Sequence, residues 1–393
     1  MKTDLRRLRP VSGRLRILLA SPAYWPAHAF GGPVEVARGL VARLVERGCD
    51  VEVLTTTLTD VSGRPDARTR FELLDGARVT YLATPLRYRW MGLTPTLPLA
   101  LRRLPRPMVT HVIGFRDPLT TGVAGWCRAR RIPYVFEPVG MFRPRLRKVR
   151  LKRAFDATLA RGVASGARLV IVSSPREQDD VVACGVDPAR VRLRGNAFPE
   201  PPPAGDADPL AGVVPNGAPV VLYVGRIAAE KGIEHLVAAA RRLPDAHFVL
   251  VGPDDRHGTM SAVTTAVSDP RTAGRVHLLP PSAGPPFDLY RRADVFVLAS
   301  GGENFGLVAA EAASVGTPVV ISDRTGVAAS FADGEALVIP YDESATVDAV
   351  ARVLGDTELR TRLAEGALQA ARRSTWDAVV DEQVAIYEEA LAP

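Results

Sequence analysis

The sequence predicts an α/β protein with two doubly wound parallel sheets, one in each half of the chain. Three observations predict it. Short β-branched runs alternate with helix-period segments from end to end, the pattern of βαβ units. Runs such as Val220 to Val224 are apolar without alternation, as strands covered on both faces are. A stretch with Pro at 199, 201, 202, 203, 209, 215 and 219 separates the halves and suits neither a central strand nor a helix interior.

In the first half the expected strands are Leu15 to Ala20, Asp50 to Thr56, Arg78 to Ala83, Val109 to Phe115, Tyr134 to Glu137 and Leu169 to Ser173. In the second half they are Val220 to Arg226, His247 to Gly252, Arg275 to Leu279, Val295 to Ser300, Pro318 to Ser322 and Ala336 to Ile339. After the first strand, Gly31-Gly32-Pro33 opens a helix with Val34, Ala37, Val41, Leu44 and Val45 inward, stopped by Gly48. Apolar residues at 376, 379, 380, 384, 387 and 391 define a last amphipathic helix. The expected division is an N-terminal domain over 1–198, a linker over 199–219 and a C-terminal domain over 220–375. The helix of 376–393 is not assigned to a domain by its spacing, and crossing back to the N-terminal domain is the path considered for it.

The length of 393 residues suits two or three domains, and 47% hydrophobic with 24% charged residues excludes disorder and coiled coil. Cys49, Cys127 and Cys184 are odd in number, far apart and in no metal-ligand spacing, which fits a reducing cytoplasm. The run from Leu15 to Ala20 is broken by Arg16, and no run reaches the roughly 18 apolar residues of a spanning helix. The net charge of +7 conceals a split: residues 1–200 hold 35 basic and 17 acidic side chains, residues 201–393 hold 15 and 26. One half is therefore suited to an anionic partner.

Ligand sites of open parallel sheets lie beyond the carboxyl ends of the strands. Three segments there carry candidate chemistry. Gly31-Gly32 precedes a helix N-terminus, where backbone N–H groups favour anions, although a flexible turn needs the same residues. Gly225-Arg226 and Glu230-Lys231-Gly232 follow a buried strand and form a cradle for a diphosphate, or ordinary surface charge. The third is Ser300-Gly301-Gly302-Glu303-Asn304-Phe305-Gly306-Leu307, leading to Glu311 on the next helix. Glu311 stands among Ala, Leu and Val, where a carboxylate is costly without a partner. The D-x-D of Asp206 and Asp208 lies in the Pro-rich stretch, not at a strand end, so a metal-bridged diphosphate is not expected.

Taken together and in this order, these three motifs resemble the retaining glycosyltransferases of family 4. The resemblance rests above all on Glu303 and Glu311, with seven residues between them, and runs across nearly the whole chain. It implies a GT-B architecture, two Rossmann-like domains facing across a cleft. The C-terminal domain would hold a nucleotide diphosphate sugar and the N-terminal domain a hydroxyl-bearing acceptor. It further implies that Arg226 and Lys231 bind the diphosphate and answer the charge of the leaving nucleotide, with no metal and no other cofactor. Glu303 would orient the donor sugar, Glu311 the ribose, and the N–H groups of Asn304, Phe305, Gly306 and Leu307 would face sugar and phosphate. Gly225 belongs to the same donor loop, and Gly31 and Gly32 would close on the phosphates.

On the acceptor side the family pattern has histidines where this chain has Ile113 and Val139. The candidates there are His111, Arg116, Glu137 and Arg143, with 85–107 as a further stretch to search. His111 shares a strand face with Ile113, and a satisfied core histidine is its competing reading. The run from Arg143 to Arg153 has seven cations in eleven residues, interleaved with Leu146, Val149 and Leu151. It reads as a solvated helix face, or as contact with an anionic membrane surface for a lipid-linked acceptor. Nucleic acid is excluded as partner because no binding motif or stacking ladder accompanies the charge. The expected reaction is therefore retaining, metal-independent glycosyl transfer in polysaccharide, glycolipid or glycoconjugate synthesis, in the cytoplasm or at the inner face of the membrane. A small aminocyclitol or secondary-metabolite acceptor, an epimerase or phosphorylase, and a non-catalytic membrane module are the alternatives.

Overall fold

The computed structural model describes residues 14–60, 66–88, 91–142, 161–254, 258–281 and 285–392. Arg143 and the basic run that it begins lie outside the described residues, as do residues 89–90 of the stretch 85–107. The chain divides into two units, Met1–Asn196 with Trp376–Pro393, and Ala197–Thr375.

The first unit contains β1 (Arg16–Ala20), α1 (Gly32–Glu46), β2 (Asp50–Thr56), β3 (Arg70–Leu74), β4 (Ala77–Leu82), β5 (Leu86–Tyr88), β6 (Met91–Leu93) and α2 (Leu97–Arg103). It continues through β7 (Val109–Ile113), α3 (Pro118–Arg130), β8 (Tyr134–Glu137), α4 (Arg161–Gly166), β9 (Leu169–Val172), α5 (Pro175–Ala183) and β10 (Val191–Leu193). The second unit contains β11 (Val220–Val224), α6 (Ile233–Arg242), β12 (His247–Val251), α7 (Thr259–Ser268), β13 (Val276–Leu279), α8 (Phe287–Arg292) and β14 (Val295–Leu298). It ends with α9 (Leu307–Ser314), β15 (Val319–Ser322), β16 (Leu337–Ile339), α10 (Glu343–Gly355) and α11 (Thr357–Arg373); α12 (Trp376–Leu391) then rejoins the first unit. All twelve strands expected from apolar runs are present, and β3, β5, β6 and β10 are additional.

The first sheet has the order β10-β9-β8-β7-β1-β2-β4-β3, parallel except for the β3–β4 hairpin. Successive residues of β1 serve opposite faces, as the period of two requires. Ile17 and Leu19 pack with Leu40, Val41 and Leu44 of α1 and with Val380 and Tyr387 of α12. Leu18 and Ala20 pack with Leu119, Val123 and Cys127 of α3. Gly39 of α1 admits Trp376: a Cβ there would lie 2.2 Å from the indole.

A buried polar network fastens α12 to the sheet. Arg194 is wholly buried and donates to Gln383 Oε1 at 2.6 Å and to Glu137 Oε1 at 2.9 Å. His111 Nδ1 lies 2.8 Å from the Tyr387 hydroxyl. Its Nε2 stands 3.1 Å from Glu137 Oε2, at an angle outside a normal hydrogen bond. Burial pushes the Glu137 carboxyl upward, but Arg194 and His111 outweigh it and hold it below the ordinary carboxylate range. Burial lowers His111, so its imidazole is neutral at pH 7. The acceptor-side expectation for His111 and Glu137 is corrected here: they are 0% and 5% exposed, because α12 covers the face of β7 that carries His111.

The second sheet is wholly parallel, in the order β13-β12-β11-β14-β15-β16. The expected interdomain linker over 199–219 is also corrected. Residues 197–219 belong to the second unit, where Phe198, Leu210 and Val214 enter the core beside β11. Those three apolar side chains, spaced among the prolines, hold the stretch down.

Two predictions come from this packing. Arg194→Ala leaves Glu137 charged, buried and unpaired, so it should lower unfolding free energy by about 3–5 kcal/mol in urea titrations. Asp117, 1% exposed, caps α3 by accepting from Thr120 N at 2.9 Å. Burial raises its pKa to about 6, opposed by its hydrogen bonds from Thr120. The folded state therefore holds this proton more tightly than the unfolded chain, and stability falls as pH rises from about 4 to about 6. Asp117→Asn keeps the cap without the charge. The difference between wild type and this variant should change by about 1–3 kcal/mol across that window in the variant's favour, and a pH-independent difference would refute the assignment.

Candidate active site

Among the parallel strands of each sheet the order reverses once, between β1 and β7 in the first unit and between β11 and β14 in the second. A crevice opens beyond the carboxyl ends of strands at such a point. In the second unit that point collects the loop of 225–232 after β11 and the loop of 299–306 after β14.

Backbone contacts join these two loops. The Glu230 carbonyl accepts from Gly301 N at 2.7 Å and from Ser300 Oγ at 2.9 Å. Gly232 has φ +69°, and a Cβ there would lie 1.9 Å from the Ala299 carbonyl oxygen, so only glycine permits the approach. Ile227 and Ala228 are fully buried and fasten the middle of the first loop. The second loop is framed by the turn after β15: Glu303 N donates to Arg324 O at 3.1 Å and Val327 N donates to Phe305 O at 2.7 Å.

The charged candidates emerge from this frame. Lys231 and Glu303 form an ion pair across the two loops, with side chains only 12% and 19% exposed. Arg226 is more open, and its guanidinium lies 3.7 Å from Glu230. Gly306 precedes α9, and Glu311 on that helix accepts from the Tyr290 hydroxyl at 2.7 Å. Tyr290 is wholly buried; burial, then the Glu311 charge, raises its pKa well above the phenol range, so it remains a donor. The expected partner of Glu311 is thus found, on a helix where sequence spacing has no signal for it. Asn304 and Leu307 are half-buried at the same turn, and Phe305 is buried.

Two further residues complete the rim. The Tyr341 ring lies against Gly301, where a Cβ would approach it to 3.2 Å, and the Arg324 guanidinium stands 4.9 Å over that ring. Both follow strands of the same sheet, β16 and β15, at their carboxyl ends, which was the signal available in the sequence.

The first unit places Gly31 and Gly32 at the N-terminus of α1, Gly31 with φ +78°. The loop before them is held by Thr56 Oγ1 donating to Pro22 O at 2.6 Å and Tyr81 OH donating to Trp25 O at 2.6 Å. Arg116 does not stand open for an acceptor. Its guanidinium donates to the carbonyls of Met141 and Phe142 and lies 4.7 Å from the Phe115 ring, so it clamps the loop after β8. Glu177 holds the same loop by accepting from Gly140 N, and sequence reasoning missed it.

Comparison with known proteins accords with this arrangement. Residues 31–197 match the glycosyl transferase 4-like domain and residues 211–370 match the glycosyl transferases group 1 domain. A D-inositol 3-phosphate glycosyltransferase of Xylanimonas cellulosilytica is 30% identical over 308 residues, 69% of this chain and 70% of that protein. Among other curated relatives of the same name, the chain spans about half the length of the protein it matches, 45% and 51% in two of them. Sucrose-phosphate synthase from Thermosynechococcus elongatus aligns with a TM-score of 0.75 at 24% identity, over 95% of this chain and 98% of that one. HepE of Anabaena, in complex with UDP and glucose, aligns with a TM-score of 0.73 at 17% identity, over 94% and 98%. The chain belongs to the group 1 glycosyl transferases, glycosyltransferase family 4, and its two doubly wound units are those of the GT-B fold.

The frame itself is testable. Gly232→Ala should destabilise the second unit by about 2 kcal/mol or more, from the positive φ and the contact with Ala299, read as a lower urea midpoint. An unchanged midpoint would show that the loop can move away.

Proposed function

We propose that the protein is a retaining, metal-independent glycosyltransferase that moves a sugar from a nucleotide diphosphate sugar to a hydroxyl acceptor. The observation that carries this reading is the Lys231–Glu303 ion pair, held across two loops at the point where the second sheet reverses. Family membership and the UDP complex of the structural neighbour support it.

As the bond from the anomeric carbon to the diphosphate breaks, negative charge grows on the leaving oxygen. Arg226 and Lys231 supply fixed positive charge there, the task a divalent ion has in other transferases. When the diphosphate takes Lys231, the Glu303 carboxylate is released to accept from hydroxyls of the sugar. The N–H groups from Asn304 to Leu307, with Gly225 in the facing loop, let the donor approach the backbone. Glu311, oriented by Tyr290, accepts from the ribose hydroxyls. Gly31 and Gly32 stand at the N-terminus of α1, a setting whose N–H groups favour an anion. The acceptor oxygen bonds to the anomeric carbon on the face the phosphate leaves, and its proton passes to the leaving phosphate oxygen. One C–O bond breaks, one forms, and configuration is retained.

The names of the curated relatives favour a small phosphorylated cyclitol as acceptor. The basic run from Arg143 to Arg153 favours a lipid-linked acceptor at an anionic membrane surface instead. Among the described residues no helix is long and apolar enough to cross a membrane.

Lys231→Ala and Glu303→Ala should each lower kcat by about 10²–10³ while the melting temperature stays near that of the wild type. A thermal-shift panel of UDP, GDP, ADP and TDP with their sugar conjugates should single out one nucleotide, with or without magnesium. Absence of any nucleotide shift, dependence on magnesium, or an inverted anomer in the product by NMR would each overturn the corresponding part of the reading.

A further inference from the structure

The outer edge of the first sheet is unusual in what it leaves in water. β3 pairs with β4 on one side and ends the sheet on the other. Phe71 and Leu73 of β3 are 75% and 76% exposed, the highest values of any large apolar side chain among the described residues. An open strand edge carrying such residues is a template for another strand.

The hairpin decides which backbone groups are available. Leu74 faces Ala77 across the two-residue turn Asp75-Gly76, whose φ values are +50° and +79°. In such a turn the flanking residues exchange both backbone hydrogen bonds. Arg70, Glu72 and Leu74 therefore direct N–H and C=O toward β4, while Phe71 and Leu73 direct theirs outward. A strand added antiparallel must place its own outward residues opposite these.

We infer that β3 pairs with β3 of a second copy of this chain, antiparallel, with Phe71 opposite Phe71. Three registers of a symmetric pair satisfy the outward hydrogen bonds, and with Leu73 opposite Leu73 neither charge is matched, since Arg70 faces Gly76 and Glu72 faces Leu74. With Phe71 opposite Leu73, Glu72 faces Glu72 at close range, a like-charge contact that opposes pairing. With Phe71 opposite Phe71, Arg70 faces Glu72 twice and Leu73 faces Thr69, so both charges are matched. Within one copy Arg70 and Glu72 form only a half-exposed ion pair at 3.6 Å, with the Arg70 guanidinium 4.0 Å over the Tyr81 ring, and the paired strand would let each exchange this neighbour for its counterpart across the interface. The alternating sequence Arg-Phe-Glu-Leu over 70–73 is complementary to itself in this register alone.

The test uses the full chain with the exposed Cys184 replaced by Ser, so that no surface thiol competes. In that background Phe71→Cys should form a disulfide-linked dimer on mild oxidation, since facing Cα atoms lie about 5.5 Å apart. Leu73→Cys should not, because its two copies would be offset by four residues, about 13 Å. Sedimentation equilibrium should show a dimer for the wild type and a monomer for Phe71→Lys, with glycosyl transfer and the melting temperature retained. A wild type that stays monomeric to about 100 µM would overturn the inference. So would a dimer that survives Phe71→Lys, or oxidation that links Leu73→Cys more readily than Phe71→Cys. Binding of the monomer to anionic vesicles, lost on Phe71→Lys, would assign the patch to a membrane and reject it as a dimer contact.

Discussion

The close approach of the loop after β11 to the end of β14 is the constraint on which the site depends. The Glu230 carbonyl takes two hydrogen bonds from Ser300 and Gly301, and Gly232 passes within reach of the Ala299 carbonyl. Without that contact Lys231 and Glu303, 72 residues apart, would have no reason to meet. With it, a cation and a carboxylate, 12% and 19% exposed, are brought together and pair with each other. The pairing keeps two charges of the second unit compensated at small cost, because neither side chain is wholly removed from water.

The first unit solves a different problem. Its sheet receives the last helix of the chain, and a mainly apolar seam would allow that helix to slide. The wholly buried Arg194, bonded to Gln383 and Glu137 at once, permits one registration of α12. His111 and Tyr387 add a second polar contact on the same seam. Burial of such groups contributes little net stability, but misplacing them is expensive, so the network acts as a register pin. Arg116 and Glu177 hold the loop after β8 from its two sides in the same manner.

Much of this was legible before folding was considered. The apolar runs located twelve strands because strands buried on both faces need continuous Val, Ile and Leu. The edge strand β3 escaped because Arg-Phe-Glu-Leu-Leu has a polar residue on each side of Phe71 and no buried face to demand a pattern. β10, only three residues long, carries too little periodicity to read. The prolines of 197–219 suggested an interdomain linker, and the three apolar residues among them place the stretch in the second unit's core. His111 and Glu137 are polar residues at strand ends, which is where ligand contacts also lie, so type and position alone did not separate a core network from a site.

The sequence by itself determined the parallel sheets, the positions of the glycine-rich and charged motifs after the strands and the imbalance of charge between the halves. These follow from local spacing: apolar period, glycine before a helix, a basic residue after a strand. Tertiary structure alone decided which polar residues face each other. The strand order reverses where β11 meets β14, which brings Lys231 to Glu303, and α12 returns to the first unit, which buries His111. Pairings over such separations depend on sheet order and on the return path of the chain, and no local pattern encodes either.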